Sequence, residues 1–67
     1  MMATRTYKAV FAGGHFNGTD YVGAEWNGFY RVEDAHETLR WAWASIYPEQ
    51  EIPDVLPGSF YVRQVEE

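Results

Sequence analysis

Two stretches of the chain, residues 4–16 and 19–26, are rich in aromatic and β-branched residues and have the composition of β-strands, and Asn17-Gly18 separates them. A second pair, Asn27-Gly28, precedes a short apolar run at residues 29–32. Asn-Gly between apolar runs is typical of a two-residue hairpin, because both residues tolerate the positive φ of a type I′ turn. The pattern therefore predicts a three-stranded antiparallel meander.

Two-residue turns would fix the register of these strands, with Phe16 opposite Thr19 and Trp26 opposite Phe29. We expect one face to form the core, and its members are Tyr7, Ala9, Phe11, Val22, Ala24, Trp26 and Phe29. The other face carries Lys8, Val10, Thr19, Tyr21, Glu25, Tyr30 and Val32. An irregularity at Gly13-Gly14 is expected, and a bulge there would shift the assignment.

An amphipathic helix is predicted from about residue 35 to 47. Asp34 and Glu37 have the spacing of a capping box, with Asp as the N-cap, and Pro48 ends the helix. The 3.6-residue period places five apolar residues on one stripe that covers the sheet: Ala35, Leu39, Ala42, Trp43 and Ile46.

Residues 48–58, PEQEIPDVLPG, contain three prolines and three acids and are predicted to form a long connecting loop. Residues 59–65, SFYVRQV, alternate and predict a last strand, with Phe60 and Val62 inward. The order β-β-β-α-β predicts a single α+β domain over residues 1–67, with one helix packed across one sheet in two layers. The last strand could join the first strand or the third.

Composition and charge narrow the possible functions. The chain has 67 residues and no cysteine, and its ten acidic against five basic residues give a formal net charge of −5. Direct nucleic-acid binding is disfavoured, because it depends on Lys and Arg that neutralise phosphates, whereas a basic protein surface is a favourable partner. No apolar run reaches the ~18 residues of a membrane span, and we expect a cytoplasmic protein.

The sequence contains no recognisable catalytic or metal-binding motif. His15 and His36 are the only histidines and lack the spacing of a zinc site. No G-x-S-x-G elbow, P-loop or G-x-G-x-x-G is present. We therefore predict no catalytic, cofactor-binding or metal-binding residues, and a protein that is not an enzyme.

Aromatic residues on the predicted outer surfaces are the candidate partner-binding set. Trp41 points about 160° away from Trp43 on a helix, so we expect Trp43 in the core and Trp41 outside, beside Glu37. Tyr21, Tyr30 and Tyr61 are expected on the outer face of the sheet. Tyr and Trp are enriched at protein-interface hot spots. Cross-strand pairing, base stacking or a cover of Val55 and Leu56 over Trp41 are the alternatives.

Acids in the second half of the chain complete the candidate site. Glu49, Glu51 and Asp54 lie in the Pro-rich loop, and Glu66 and Glu67 end the chain. A row of carboxylates can imitate phosphates and occupy a nucleic-acid channel on another protein. The alternative is a solvated surface that maintains solubility.

In overall character the chain resembles the small, acidic, cysteine-free inhibitors encoded by bacteriophages, including anti-CRISPR proteins. The resemblance covers the length, the acids named above and the lack of an assembled active site, and it transfers no functional residue. It implies a phage protein that binds a CRISPR effector or another nucleic-acid-handling complex in the bacterial host and blocks its access to DNA. The alternative function is an assembly module that forms a homodimer through an edge strand or the Trp41 face.

Overall fold

The structure is a computed structural model that describes residues 5–66 and the side chains of residues 5–65. Its elements in chain order are β1 (Arg5–Phe11), β2 (Gly14–Phe16), β3 (Thr19–Tyr21), β4 (Ala24–Phe29), α1 (Val32–Ile46) and β5 (Phe60–Glu66). The predicted α+β class is confirmed, because antiparallel strands precede one helix that packs across the sheet and a final strand follows it. Thr4 and Glu67, which the predictions included, lie outside the described residues.

β1 is the central strand of a three-stranded sheet with the order β4-β1-β5, and both pairs are antiparallel. The last strand therefore joins the first strand. Ala9 and Phe11 are buried, because β1 has a strand on each side and α1 across its inner face. Val10 points to the other face, where it lies between Glu25 and Tyr61 and is also buried. Phe11 lies opposite Phe60 of β5, and their rings stack with centroids 4.6 Å apart.

The turn at Asn17-Gly18 is the predicted type I′ hairpin. The φ angles are 50° at Asn17 and 74° at Gly18, as this turn requires. The turn joins β2 to β3 and places Phe16 opposite Thr19, as predicted. These two strands form a two-stranded sheet of their own at the tip of a longer β1–β4 hairpin.

An irregularity close to the predicted position separates this tip from the main sheet. Residues 12–13 and 22–23 interrupt the two arms of the hairpin. Gly13 is required at the break, because its φ is +80° and a Cβ would lie 2.7 Å from the carbonyl oxygen of Tyr21. The break also reverses the side-chain alternation. Val22, predicted for the core, is 88% exposed, and Tyr21, predicted outside, packs against the core.

Asn27-Gly28 does not form the predicted turn, and residues 29–32 do not form a third strand. β4 continues through the pair and ends at Phe29, and α1 begins at Val32. Between Trp26 and Phe29, β4 advances three residues while β1 advances two, which is the residue count of a β-bulge. Of the pair only Gly28 has a positive φ, 89°, whereas a type I′ turn needs it at both positions.

The helix begins three residues earlier than predicted and ends within one residue of the prediction. Its N-cap is Arg31, whose side chain makes no capping hydrogen bond. The predicted capping box of Asp34 and Glu37 is therefore wrong. Asp34 lies inside the first turn instead, where a carboxylate still interacts favourably with the positive end of the helix dipole. The C-cap is Tyr47.

The core lies between the helix and the inner face of the main sheet, and the predicted helix stripe is confirmed. Ala35, Leu39 and Ile46 are buried, and Ala42 and Trp43 pack partly buried beside them. From the sheet they meet the buried residues Ala9, Phe11 and Phe60, and the partly buried residues Tyr7, Trp26, Phe29 and Val62. Full burial of one large apolar side chain stabilises the fold by about 1.5–3 kcal/mol, so this one cluster supplies much of the driving force for folding.

The tip of the hairpin is attached to the end of the helix. The side-chain amide of Asn17 donates a hydrogen bond of 2.8 Å to the carbonyl oxygen of Ile46, and its backbone N–H donates one of 3.0 Å to the Tyr47 hydroxyl. The last four carbonyl groups of a helix have no partner within the helix. Asn17 therefore serves two purposes, because its φ permits the turn and its side chain satisfies a helix end.

The molecule is elongated, with principal extents of 48 × 21 × 15 Å. Its radius of gyration of 13.0 Å exceeds the roughly 11 Å expected for a compact chain of this length. A thin shape leaves many side chains at the surface, so the exposed apolar residues have to be considered one by one.

Candidate functional site

Trp41 lies on the outer side of α1, as the helical period predicts, and 69% of its surface is exposed. Trp43 turns inward, and its ring lies 4.5 Å from that of Tyr47 and 5.8 Å from that of Phe60, centroid to centroid. The indole N–H of Trp43 is buried and has no hydrogen-bond partner within the described part of the chain. Trp43 is thus a packing residue, and Trp41 is free to contact a partner.

A cleft of about 670 Å³ lies beside Trp41 along the outer side of the helix. Its lining consists of Val32, Glu33, His36, Glu37, Arg40, Trp41, Ala44 and Ile52. Seven of these residues come from α1, and Ile52 comes from the loop that follows it. The lining thus combines four apolar residues with Glu33, Glu37, His36 and Arg40, and a rigid element positions nearly all of it.

The alternative in which Val55 and Leu56 cover Trp41 is not present in the structure. Val55 is 85% exposed, and Leu56 packs against the core instead. Both residues line a second cleft of about 720 Å³ between α1 and β5. Only Ile52 of this loop lines the Trp41 cleft, and most of the indole stays in solvent.

The charges around the Trp41 cleft are mixed. The guanidinium of Arg31 donates to the carboxylate of Glu33 at 2.9 Å. This hydrogen bond is the main cause that lowers the pKa of Glu33 and raises the pKa of Arg31. Glu37 makes no ion pair among the contacts of the described residues, and it lies one turn before Trp41. Its carboxylate is therefore available to a cationic group of a partner.

The predicted acidic residues of the loop do not gather at this cleft. Glu49, Glu51 and Asp54 are all exposed, and Asp54 lines the second cleft, on the β5 side of the helix. Glu49 and Glu51 lie in the same loop as Ile52 without lining either cleft. The loop acids thus contribute negative potential over a broad area.

Of the three tyrosines predicted on the outer face of the sheet, Tyr21 packs against the core instead. Tyr21 is partly buried, and its ring centroid lies 6.3 Å from that of Phe11. Tyr30 lies in the bend before the helix and is 73% exposed. Tyr61 lies on β5 opposite Val10 and is 44% exposed. Of the three tyrosines, Tyr30 and Tyr61 are therefore the two that remain exposed for base stacking of the kind that RNA-binding sheets use.

The remaining polar clusters are small. His15 and Asp20 face each other across the hairpin tip, with Nδ1 of the histidine 2.7 Å from Oδ1 of the aspartate. Within residues 5–66, no three His, Cys, Asp or Glu side chains converge on one point. No helix in the same range is long and apolar enough to cross a membrane.

Comparison of the chain with protein-family models, with curated proteins and with solved structures gave no match. Any functional interpretation therefore depends on the surface itself. Besides the Trp41 cleft, the cleft between α1 and β5 was not foreseen from the sequence. It arises because the last strand pairs with the first one, and residues about 50 positions apart in sequence give no local signal of such a pairing.

Proposed function

We propose that this protein is a binding protein that docks through the Trp41 cleft onto the surface of another protein and acts as a stoichiometric inhibitor. The exposure of Trp41 beside an uncovered apolar cleft carries the proposal. Trp is among the residues most enriched in interface hot spots, which lie in apolar surroundings that exclude water on binding. An indole left in solvent adds nothing to the core of a small domain, which supports a role outside the fold.

The charge of the chain supports a basic partner. The formal net charge is −5. Glu37, which makes no ion pair within the described residues, lies within one helical turn of Trp41. A complementary positive surface would be steered toward the cleft, because electrostatic attraction raises association rates and orients the two partners. Trp41 then supplies the buried anchor, and Glu37 receives an Arg or Lys of the partner at the rim.

The narrower form of the proposal is that the target is a nucleic-acid-handling complex in the bacterial cytoplasm, with a CRISPR effector as one example. Such complexes have Lys- and Arg-lined channels that bind phosphates. A small acidic protein seated at the channel would block DNA both by its bulk and, in part, by carboxylates in place of phosphates. This form is supported by the net charge and by the resemblance in general character to phage-encoded inhibitors.

The test is a comparative pull-down from bacterial lysate with three immobilised proteins: wild type, Trp41→Ala and Tyr30→Ala. Tyr30 is the matched control, because it is equally exposed but lines neither cleft. We expect a basic nucleic-acid-binding protein to be retained by wild type and Tyr30→Ala and lost with Trp41→Ala. With the purified target, Trp41→Ala should weaken binding about 30-fold or more, the effect of losing a hot spot of about 2 kcal/mol.

Two results would contradict the proposal. Equal retention by all three proteins would show that the cleft is not the docking site. A loss with Tyr30→Ala as large as with Trp41→Ala would move the site away from the cleft. Circular dichroism of each variant is the control that excludes unfolding as the cause of a loss.

A further inference from the structure

β5 pairs with β1 along one edge, and no strand within residues 5–66 lies along its other edge. One backbone hydrogen bond, adjacent to the end of the β1–β5 ladder, shows which backbone groups of β5 face away from β1. The N–H of Ala12 donates to the carbonyl of Ser59 at 2.7 Å, which continues the β1–β5 register by one pair. In an antiparallel ladder hydrogen-bonded pairs alternate with non-hydrogen-bonded ones. Val62 and Gln64 therefore direct their N–H and C=O groups toward the open edge.

The open edge lacks two of the features that usually prevent strands from pairing. β5 spans seven residues without a proline or a bulge, both of which natural sheets use to protect edges. Its charged residues are Arg63 and Glu66. Apolar side chains lie next to this edge on the inner side of the sheet, where Val62 and the 85%-exposed Val55 line the cleft between α1 and β5. The opposite edge of the sheet differs, because β4 is bulged at Asn27-Gly28 and a bulge disrupts regular pairing.

We infer that β5 is a self-association edge on which a second copy of this chain pairs, antiparallel, about a two-fold axis at Val62. In this register Val62 lies opposite Val62 of the second copy, and Tyr61 lies opposite Arg63 of the second copy. The guanidinium and the phenol ring then form a cation–π pair on the outer face, and the two-fold axis repeats it. The residues on the two sides of Val62 are therefore complementary to each other, and a two-fold interface requires such self-complementarity.

Moving the axis one residue toward the C-terminus removes this complementarity. An axis at Arg63 would place two guanidinium groups directly opposite each other, and like charges in that arrangement destabilise a sheet. The Val62 register avoids this conflict. Val62 exchanges both backbone hydrogen bonds with Val62 of the second copy. The N–H of Gln64 donates to the carbonyl of Phe60 of the second copy, whose own N–H is bonded to Pro57. The resulting six-stranded sheet, in the order β4-β1-β5-β5-β1-β4, ends on bulged strands. The assembly therefore closes as a dimer.

A single strand pair gives an interface at the small end of the known range, so the dimer is expected only at high protein concentration. The formal charge of the dimer is −10, twice the −5 of each chain, and salt screens this repulsion. Self-association should therefore strengthen as salt is added. Binding of a basic partner at Trp41 should weaken with salt, so the two interactions can be distinguished.

Single-cysteine crosslinking tests the register directly, because the chain contains no cysteine. In Val62→Cys the two Cα atoms would lie about 5.5 Å apart across the axis, within the range of a disulfide. Gln64→Cys is the matched control on the same edge, because its two copies would lie beyond that range. Under mild oxidation we expect Val62→Cys to form a disulfide dimer at least roughly tenfold faster than Gln64→Cys. Adding Trp41→Ala should leave this difference unchanged.

Sedimentation of the wild-type chain completes the test, with circular dichroism to confirm that both cysteine variants are folded. The inference is supported if wild type dimerises as concentration and salt rise and Val62→Cys crosslinks preferentially. Equal slow crosslinking of both variants, or faster crosslinking of Gln64→Cys, would overturn the pairing. A wild-type chain that stays monomeric at every concentration and salt would overturn the self-association itself. None of these results changes the expected loss of target binding in Trp41→Ala.

Discussion

Asn17→Asp tests whether the hairpin tip stabilises the end of the helix. Asp-Gly is compatible with the same type I′ turn as Asn-Gly, so the substitution keeps the backbone and changes only the side-chain group. The side-chain amide that donates a hydrogen bond of 2.8 Å to the carbonyl of Ile46 becomes a carboxylate, which has no proton to donate at neutral pH. The new negative charge also lies at the negative end of the helix dipole.

The expected loss follows from these two contacts. A side-chain hydrogen bond contributes about 1 kcal/mol net, and an unfavourable charge at a helix end costs about 0.3–1 kcal/mol. The free energy of unfolding should therefore fall by about 1.3–2 kcal/mol. In a domain of this size that corresponds to a decrease in Tm of about 5–16 °C.

Thermal unfolding followed by circular dichroism at pH 7 measures this change. Asn27→Asp is the matched control, because it makes the same substitution in the other Asn-Gly pair, which lies in β4 and not at a helix end. The control should change the stability by at most about 0.5 kcal/mol. Below about pH 4 the introduced carboxyl is protonated and can donate again, so the deficit should shrink. Equal decreases in Tm for both variants would refute the anchoring role of Asn17.

Two further predictions concern the tryptophans and the start of the helix. Trp43→Ala should reduce the free energy of unfolding by about 3 kcal/mol, because it removes a packed ring, while Trp41→Ala should change it by at most about 0.5 kcal/mol. Urea unfolding of both variants measures this difference, and similar losses in the two variants would contradict the prediction. The hydrogen bond from Arg31 lowers the pKa of Glu33, so Glu33 should stabilise the fold above the ordinary carboxyl pKa and lose that contribution as pH falls through its lowered pKa. An NMR titration of Glu33 should have its midpoint below pH 4.5, the ordinary value. The difference in free energy of unfolding between wild type and Glu33→Gln should vanish in acid. A titration midpoint at or above 4.5 would contradict this prediction.

The two Asn-Gly pairs show how far local sequence determines this fold. Both have the chemistry of a type I′ turn, but only Asn17-Gly18 forms one. At Asn27-Gly28 the chain would have to reverse inside a strand that pairs with β1 on both sides of the pair. The pairing with β1 therefore keeps the chain extended, and the positive φ of Gly28 allows the extra residue to form a bulge. Local propensity cannot reveal this, because the competing contacts come from residues about 20 positions earlier.

Some features of the candidate site can likewise be predicted from local sequence, and others depend on distant contacts. The exposure of Trp41 and the burial of Trp43 follow from the helical period alone, so the sequence predicts them. Tyr21 could not be placed correctly, because two short breaks in the hairpin reverse its orientation. The cleft beside Trp41 depends on where Ile52 lies, and a proline-rich loop has no periodic pattern from which its path could be predicted.

The central position of β1 has a consequence for the order of folding. Its pairing with β4 closes a local hairpin, whereas its pairing with β5 joins residues as distant as Arg5 and Glu66. Long loops form contacts slowly, so we expect the hairpin and helix to assemble first and β5 to arrive last. Until then β1, the strand with the most buried residues in the described chain, has one unpaired edge, and aggregation would begin from this transient species.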